Sequence, residues 1–164
     1  MGLNKYKPHI MVLPEDRPNA EIATGFIKNP SVNSRAVQVL PEAGGWVHAI
    51  EIFESDLAPS TSKYPLRNVL LVIDFDNDAM GRFDRVRKSI PSGLLDRVFV
   101  LGVLTEPEKL KHSIGGSFEG IGESLSQDCC TRTIWGHTLL KHNEKELDRM
   151  IPAVEGFLFM KKTG

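Results

Sequence analysis

The chain has 164 residues, 41% hydrophobic and 25% charged, with a formal net charge of −1. That length suits one domain around a single core, and the composition excludes a disordered, fibrous or disulfide-scaffold protein. So balanced a charge provides no global field toward nucleic acid or an anionic membrane, and any such binding has to be local.

At the N-terminus, MGLNKYKPHIMVLPED lacks the apolar core of a signal peptide. Gly2 follows Met1, but Tyr6 stands where a myristoylation signal takes Ser or Thr. No window approaches the roughly 18 apolar residues of a membrane-crossing helix, so the expected setting is the cytoplasm, with no membrane partner.

HIMVL (9–13) is an apolar run closed by Pro14 and Glu15 and predicts a buried strand; NAEIATGFIKN (19–29) has helical spacing. RAVQVL (35–40) alternates as a strand, and GGWVHAIEIFES (44–55) places Val47, Ile50 and Phe53 at helical intervals. DLAPSTSKYPLR (56–67), rich in Ser and Pro, predicts a surface connection. NVLLVID (68–74) is the most continuous apolar run, as expected of a central parallel strand covered on both faces. AMGRFDRVRKSI (79–90) predicts a helix stopped by Pro91, and DRVFVLGVL (96–104) a fourth strand.

EPEKLKH opens a further helix with Pro107 in its first turn, SIGGSFEGIGES (113–124) is expected to be a Gly- and Ser-rich loop, and HNEKELDRMIPAVEGFLFM (142–160) a C-terminal helix interrupted at Pro152. Between them, Cys129 and Cys130 are adjacent and are read as reduced thiols, because a bridge between neighbours is strained and no further thiol completes a zinc site. His137 and His142 flank TLLK, and His48 and His112 lie elsewhere, without zinc-site spacing. Strands alternating with helices imply parallel pairing through right-handed crossovers. The expected fold is α/β: a three-layer sandwich on a mainly parallel sheet of at least four strands, with a core over about 9–104 and a C-terminal α extension over about 105–164 of one domain.

Chemistry is concentrated in LLVIDFDNDAMGRF, where Asp74, Asp76 and Asp78 follow a strand. Functional groups of an open parallel sheet collect at the carboxyl ends of its strands. Carboxylates this close repel one another unless a proton or a cation intervenes, and Mg²⁺ or Mn²⁺ is the expected cation because it takes a few hard oxygen ligands. Asp74 and Asp76 are the expected ligands; Asp78 is accessory and also the best candidate to cap the next helix.

An EF-hand counted from Asp74 fails, with Ala79 at its glycine position and Arg85 at its final glutamate position. A haloacid-dehalogenase pattern would want Thr or Val where Asp78 stands, and no phosphate-binding P-loop is present. A small-molecule phosphatase on another Asp-x-Asp fold stays as an alternative. Glu15 joins the same sheet edge if the first and third strands are neighbours.

Gly44 and Gly45 let the chain turn into a helix and offer N–H groups to a phosphate, while Arg82, Arg85 and Lys88 share one helix side with Arg87 beside them. Arg82 and Arg85 are the candidate phosphate-binding cations. Glu106 and Glu108 follow the fourth strand as further candidate ligands, and Trp46 is expected to pack rather than to stack on a base.

Glu15 after the first strand, Gly44-Gly45 after the second and Asp74-x-Asp76 after the third together resemble the Toprim domain, the catalytic module shared by topoisomerases, DnaG-type primases, OLD-family nucleases and small RNA-maturation nucleases. The resemblance covers roughly residues 9–104. It implies Mg²⁺-dependent phosphodiester chemistry on nucleic acid, with Glu15 as general acid or base and Asp74 and Asp76 as metal ligands.

Two positions depart from the pattern: Asp16 stands where the family commonly has Gly, and Asn19 where it often has an acid. Those departures bear on catalysis and leave a non-catalytic binding or regulatory module of the same fold as the alternative. A topoisomerase would also need a tyrosine on a separate domain, and that activity is not expected.

Overall fold

The computed structural model of the chain describes residues 2–128 and 131–160; Cys129 and Cys130 lie outside the described residues. Apolar strand residues divide between two faces with the period of two that a pleated strand imposes. In β1 (His9–Pro14), β3 (Arg67–Val72) and β4 (Val98–Leu101), Met11, Leu13, Val69, Leu71, Val98 and Val100 point to one face. There they meet Ala49, Phe53, Ala58 and Val86 from α2 (Trp46–Ile52), the turn after it, α3 (Ala58–Lys63) and α4 (Ala79–Lys88).

Ile10, Phe99 and Leu101 point to the other face and pack against Leu147, Met150, Val154 and Leu158 of α7 (Glu144–Leu158), with Phe26 of α1 (Arg17–Ile27) at the margin. With β2 (Val37–Val39), the sheet has the order β2-β1-β3-β4 and every pair is parallel. The α/β, three-layer expectation is met. β1 and β3 are direct neighbours, aligned from His9 opposite Arg67 to Pro14 opposite Val72. Among the described residues no helix is long and apolar enough to cross a membrane.

Two segments expected to be irregular are helical. In 56–67, a wide turn over Phe53–Leu57 leads into α3, which carries Pro59 in its first turn, where no backbone donor is required. Burial of Phe53, Leu57 and Thr61 anchors it. The supposed loop 113–124 holds the end of α5 (Pro107–Ile114) and most of α6 (Phe118–Gln127), capped by Ser117, whose hydroxyl accepts the Gly120 N–H at 3.0 Å.

The glycines of α6 serve helix contact rather than looseness. A Cβ on Gly122 would stand 1.9 Å from the Ile22 carbonyl oxygen, and one on Gly25 of α1 would stand 1.9 Å from that of Glu119, so the two backbones meet where only hydrogen fits. Lys28 and Glu119 pair at the rim of this contact.

α7 runs through Pro152 without a break, because its buried stripe of Leu147, Met150, Val154 and Leu158 outweighs one missing backbone bond. It also covers the outer edge of β4: Glu146 Oε2 accepts the Val100 N–H at 2.9 Å, Asn143 just before the helix accepts the Gly102 N–H at 3.1 Å, and Arg149 donates to the Val98 carbonyl at 2.6 Å.

Candidate acidic site

The site forms where β1 leaves the sheet one step before its neighbour. Glu15 N–H still pairs with the Val72 carbonyl at 2.8 Å, but Asp16 already caps α1, its Oδ1 accepting the Asn19 N–H at 3.2 Å. Beyond β3, the Ile73 and Phe75 N–H groups turn to Leu101 and Val103 on the β4 side, each at 3.0 Å. The Asp74 N–H faces the vacated β1 side, and there Glu15 Oε2 accepts it at 2.6 Å.

Gly44 and Gly45 both donate their N–H groups to the Glu15 carbonyl, at 2.8 and 3.0 Å, from left-handed conformations of φ 88° and 135° that glycine alone adopts freely. The amides expected to face a phosphate are thus bonded to the end of β1.

Asn19, fully buried, joins the two acidic turns: its Nδ2 donates to Asp16 Oδ1 at 2.8 Å and to Asp74 Oδ1 at 3.0 Å. Burial is the main influence on both central carboxyls, because it penalises the charged form. It pushes Asp74 up to about 7, opposed by the Asn19 hydrogen bond and reinforced by the charges of Glu15, Asp16 and Glu108. Glu15 is pushed up as well, by burial first and by Asp16, against the Asp74 N–H, the Arg82 charge and the Trp46 N–H. Near neutral pH the pair therefore carries an unmet demand for a proton or a cation.

The other expected site residues spread outward from this pair. Asp76 and Asn77 occupy left-handed backbone, at φ 49° and 61°, and this turn throws the Asp76 side chain out to 85% exposure, with Arg82 Nη2 at 3.7 Å. Asp78 caps α4 by accepting the Gly81 N–H at 3.1 Å. Arg82 donates to the Asp74 carbonyl at 2.6 Å, and its guanidinium lies 4.5 Å from the centre of the Trp46 ring, with that of Arg85 at 5.0 Å. Trp46 serves as a platform for two cations, a contact of about 0.5–2 kcal/mol for each guanidinium. Glu106 is the residue before α5, and Glu108 lies in its first turn.

Asn19, which sequence reasoning noted only for its missing charge, is the residue that joins the two acidic turns. The spacing Asp16-x-x-Asn19, with a capping oxygen and a polar side chain three residues on, is the signal that could have drawn attention to it.

Among the described residues no three His, Cys, Asp or Glu side chains converge closely enough to enclose a metal ion. Glu15 and Asp74 offer two hard carboxylates, and Mg²⁺ commonly takes one or two, completing its shell with water and substrate phosphates. That donor chemistry suits Mg²⁺ better than Zn²⁺, which favours nitrogen and sulfur. Comparison with protein families, with curated proteins and with solved structures finds no match to the chain.

Proposed function

We propose that this chain is a Toprim-like, Mg²⁺- or Mn²⁺-dependent enzyme that cleaves phosphodiester bonds of nucleic acid in the cytoplasm. Glu15 is the general acid or base and Asp74 the metal ligand in the site; Asp76, expected from the sequence as the second ligand, is turned outward and would reach the metal only if its turn rearranged. The observation that carries this reading is the meeting of Glu15 and Asp74 at the carboxyl ends of adjacent parallel strands, with Asp74 pushed up to about 7. A buried carboxyl tuned toward neutrality beside a second one is an arrangement that stability alone does not favour.

Bound Mg²⁺ supplies charge neutralisation at the phosphate oxygens. Asn19 fixes one oxygen of Asp74, leaving the other for the metal. Glu15, with its affinity for a proton raised by burial, is suited to exchange one with the attacking or leaving oxygen. Arg82, held by the Asp74 carbonyl and Trp46, places a fixed cation at the rim, where Asp76 also stands.

A second reading, the non-catalytic module, draws on a specific observation: Glu15 and Gly44-Gly45 are already engaged in bonds that shape the sheet edge. One experiment separates the readings. The chain is incubated with single- and double-stranded DNA and RNA in Mg²⁺ or Mn²⁺. Cleavage that is lost in Asp74→Asn and in Glu15→Gln supports the nuclease; no cleavage of any of the four substrates with either ion overturns it. Release of phosphate from small phosphate esters instead would point to the phosphatase.

A further inference from the structure

Between α2 and α4, in the layer that packs on the sheet through Ala49 and Val86, lies an open basin of about 350 Å³, within the roughly 300–1,000 Å³ of small-molecule sites. Trp46, Val47 and Ile50 form the apolar part of its lining, and Val47 is 50% exposed. The polar part divides by charge: Arg85 and Lys88 come from α4, Glu51 from α2 and Glu54 from the turn after it. The Ser89 hydroxyl, also at the wall, is spent on the Val86 carbonyl at 2.5 Å.

Among the described residues none of these four charged side chains takes part in an ion pair, although opposite charges line one basin. Two donor-only cations and two acceptor-only carboxylates left apart complement one occupant that carries an anion at one end and N–H donors at the other, with a flat face between. A nucleotide has that order of parts. Guanine suits the carboxylates best, because its ring N–H and amino N–H stand side by side, whereas the single N–H of uracil lies between two carbonyls that a carboxylate repels. Trp46 joins the basin to the acidic edge: its backbone N–H bonds to Glu15, and its ring carries both Arg85 and Arg82, which holds the Asp74 carbonyl.

We propose that this basin binds one guanine nucleotide of a single strand, with its phosphate on Arg85 and Lys88, its base over Trp46, Val47 and Ile50, and its N–H edge on Glu51 and Glu54. The inference rests on the reading of the acidic edge as a nucleic-acid site and narrows the substrate. A base reaches the basin only when it is out of a duplex stack, so single strands are favoured and cleavage falls beside guanine.

The test is an NMR titration of the full chain with guanosine monophosphate, uridine monophosphate and guanosine in metal-free buffer, where no cleavage is needed. Guanosine monophosphate is expected to shift the Trp46 indole and Val47 methyl signals and to leave Trp135, which packs on the opposite face of the sheet, unmoved. It should bind about fivefold tighter than uridine monophosphate, the low end for a paired N–H contact, and also tighter than guanosine. Lys88→Glu should weaken it by about fivefold, and Glu51→Ala with Glu54→Ala should bring the two monophosphates within about twofold of each other. All three positions are exposed, so the variants should fold. Binding without cleavage of any nucleic acid supports the subsite and overturns the nuclease; cleavage without binding of guanosine monophosphate overturns the subsite. No shift at Trp46, equal affinity for uridine monophosphate, or undiminished binding in Lys88→Glu also overturns it.

Discussion

Glu15 accepts the backbone N–H of Asp74 through its side-chain Oε2, at 2.6 Å, and so replaces the strand that β1 no longer provides. Glu15→Gln keeps an acceptor at that point, whereas Glu15→Ala strands a half-buried N–H at a cost of about 1–3 kcal/mol. Thermal melts should show Gln close to wild type and Ala lower by several degrees. In the nuclease assay both should fall by about 100-fold or more, because proton transfer by a placed group is worth roughly that factor.

Asp74 makes stability depend on pH. Burial, with the charges of Glu15, Asp16 and Glu108 added and the Asn19 bond opposing, raises its carboxyl from 3.8 in the unfolded chain to about 7 in the fold. Between those values the folded state holds the extra proton. Its contribution is therefore complete below about pH 4 and lost as pH rises through 7. In metal-free buffer Asp74→Asn should match wild type at pH 4 and exceed it at pH 8 by up to about 4 kcal/mol, or about 8–16 °C, less whatever solvent screens at this partly buried group. Adding Mg²⁺ at pH 8 should raise the melting temperature of wild type and leave that of Asp74→Asn unmoved, and chelation should reverse it.

Asp78 is expected to behave as a cap. Asp78→Ala should lower stability by about 1 kcal/mol and Asp78→Ser should restore most of it, since either Asp or Ser can accept the Gly81 N–H. Cleavage in Mg²⁺ by Asp78→Ser should stay within about twofold of wild type, as the substitution leaves Glu15 and Asp74 in place; a loss as deep as that of Asp74→Asn would make Asp78 a ligand.

The contact between α1 and α6 is set by two hydrogens. Gly25→Ala and Gly122→Ala each push a methyl to 1.9 Å from a carbonyl oxygen, and each should destabilise the chain by about 2–4 kcal/mol in urea melts. Gly93→Ala, with open space around the added carbon, should change little.

Much of the architecture was legible because HIMVL, NVLLVID and DRVFVLGVL are short, β-branched apolar runs alternating with helical segments, the pattern of a buried parallel sheet. Their ends then put Glu15 and Asp74 on one edge. What escaped depended on partners distant in the chain. The glycines of SIGGSFEGIGES read as a loop until α1 is laid against them, and Pro59 reads as a breaker until its place in the first turn of α3 is known.

The Asp74-x-Asp76 spacing suggested two carboxylates aimed at one point, but left-handed backbone at Asp76 and Asn77 turns the second one outward. Asn19 reads as a neutral departure from an acidic pattern; its meaning appears only beside Asp74, 55 positions away.

Glu146 and Asn143 engage the Val100 and Gly102 N–H groups on the free side of β4 and its continuation, and Arg149 takes the Val98 carbonyl there. A strand from another molecule would have to displace these side chains, so growth of the sheet is hindered at β4 more than at the three-residue β2. The last helix thereby acts as a guard against self-association. Losing it would bare both that edge and the sheet face that Leu147, Met150, Val154 and Leu158 cover.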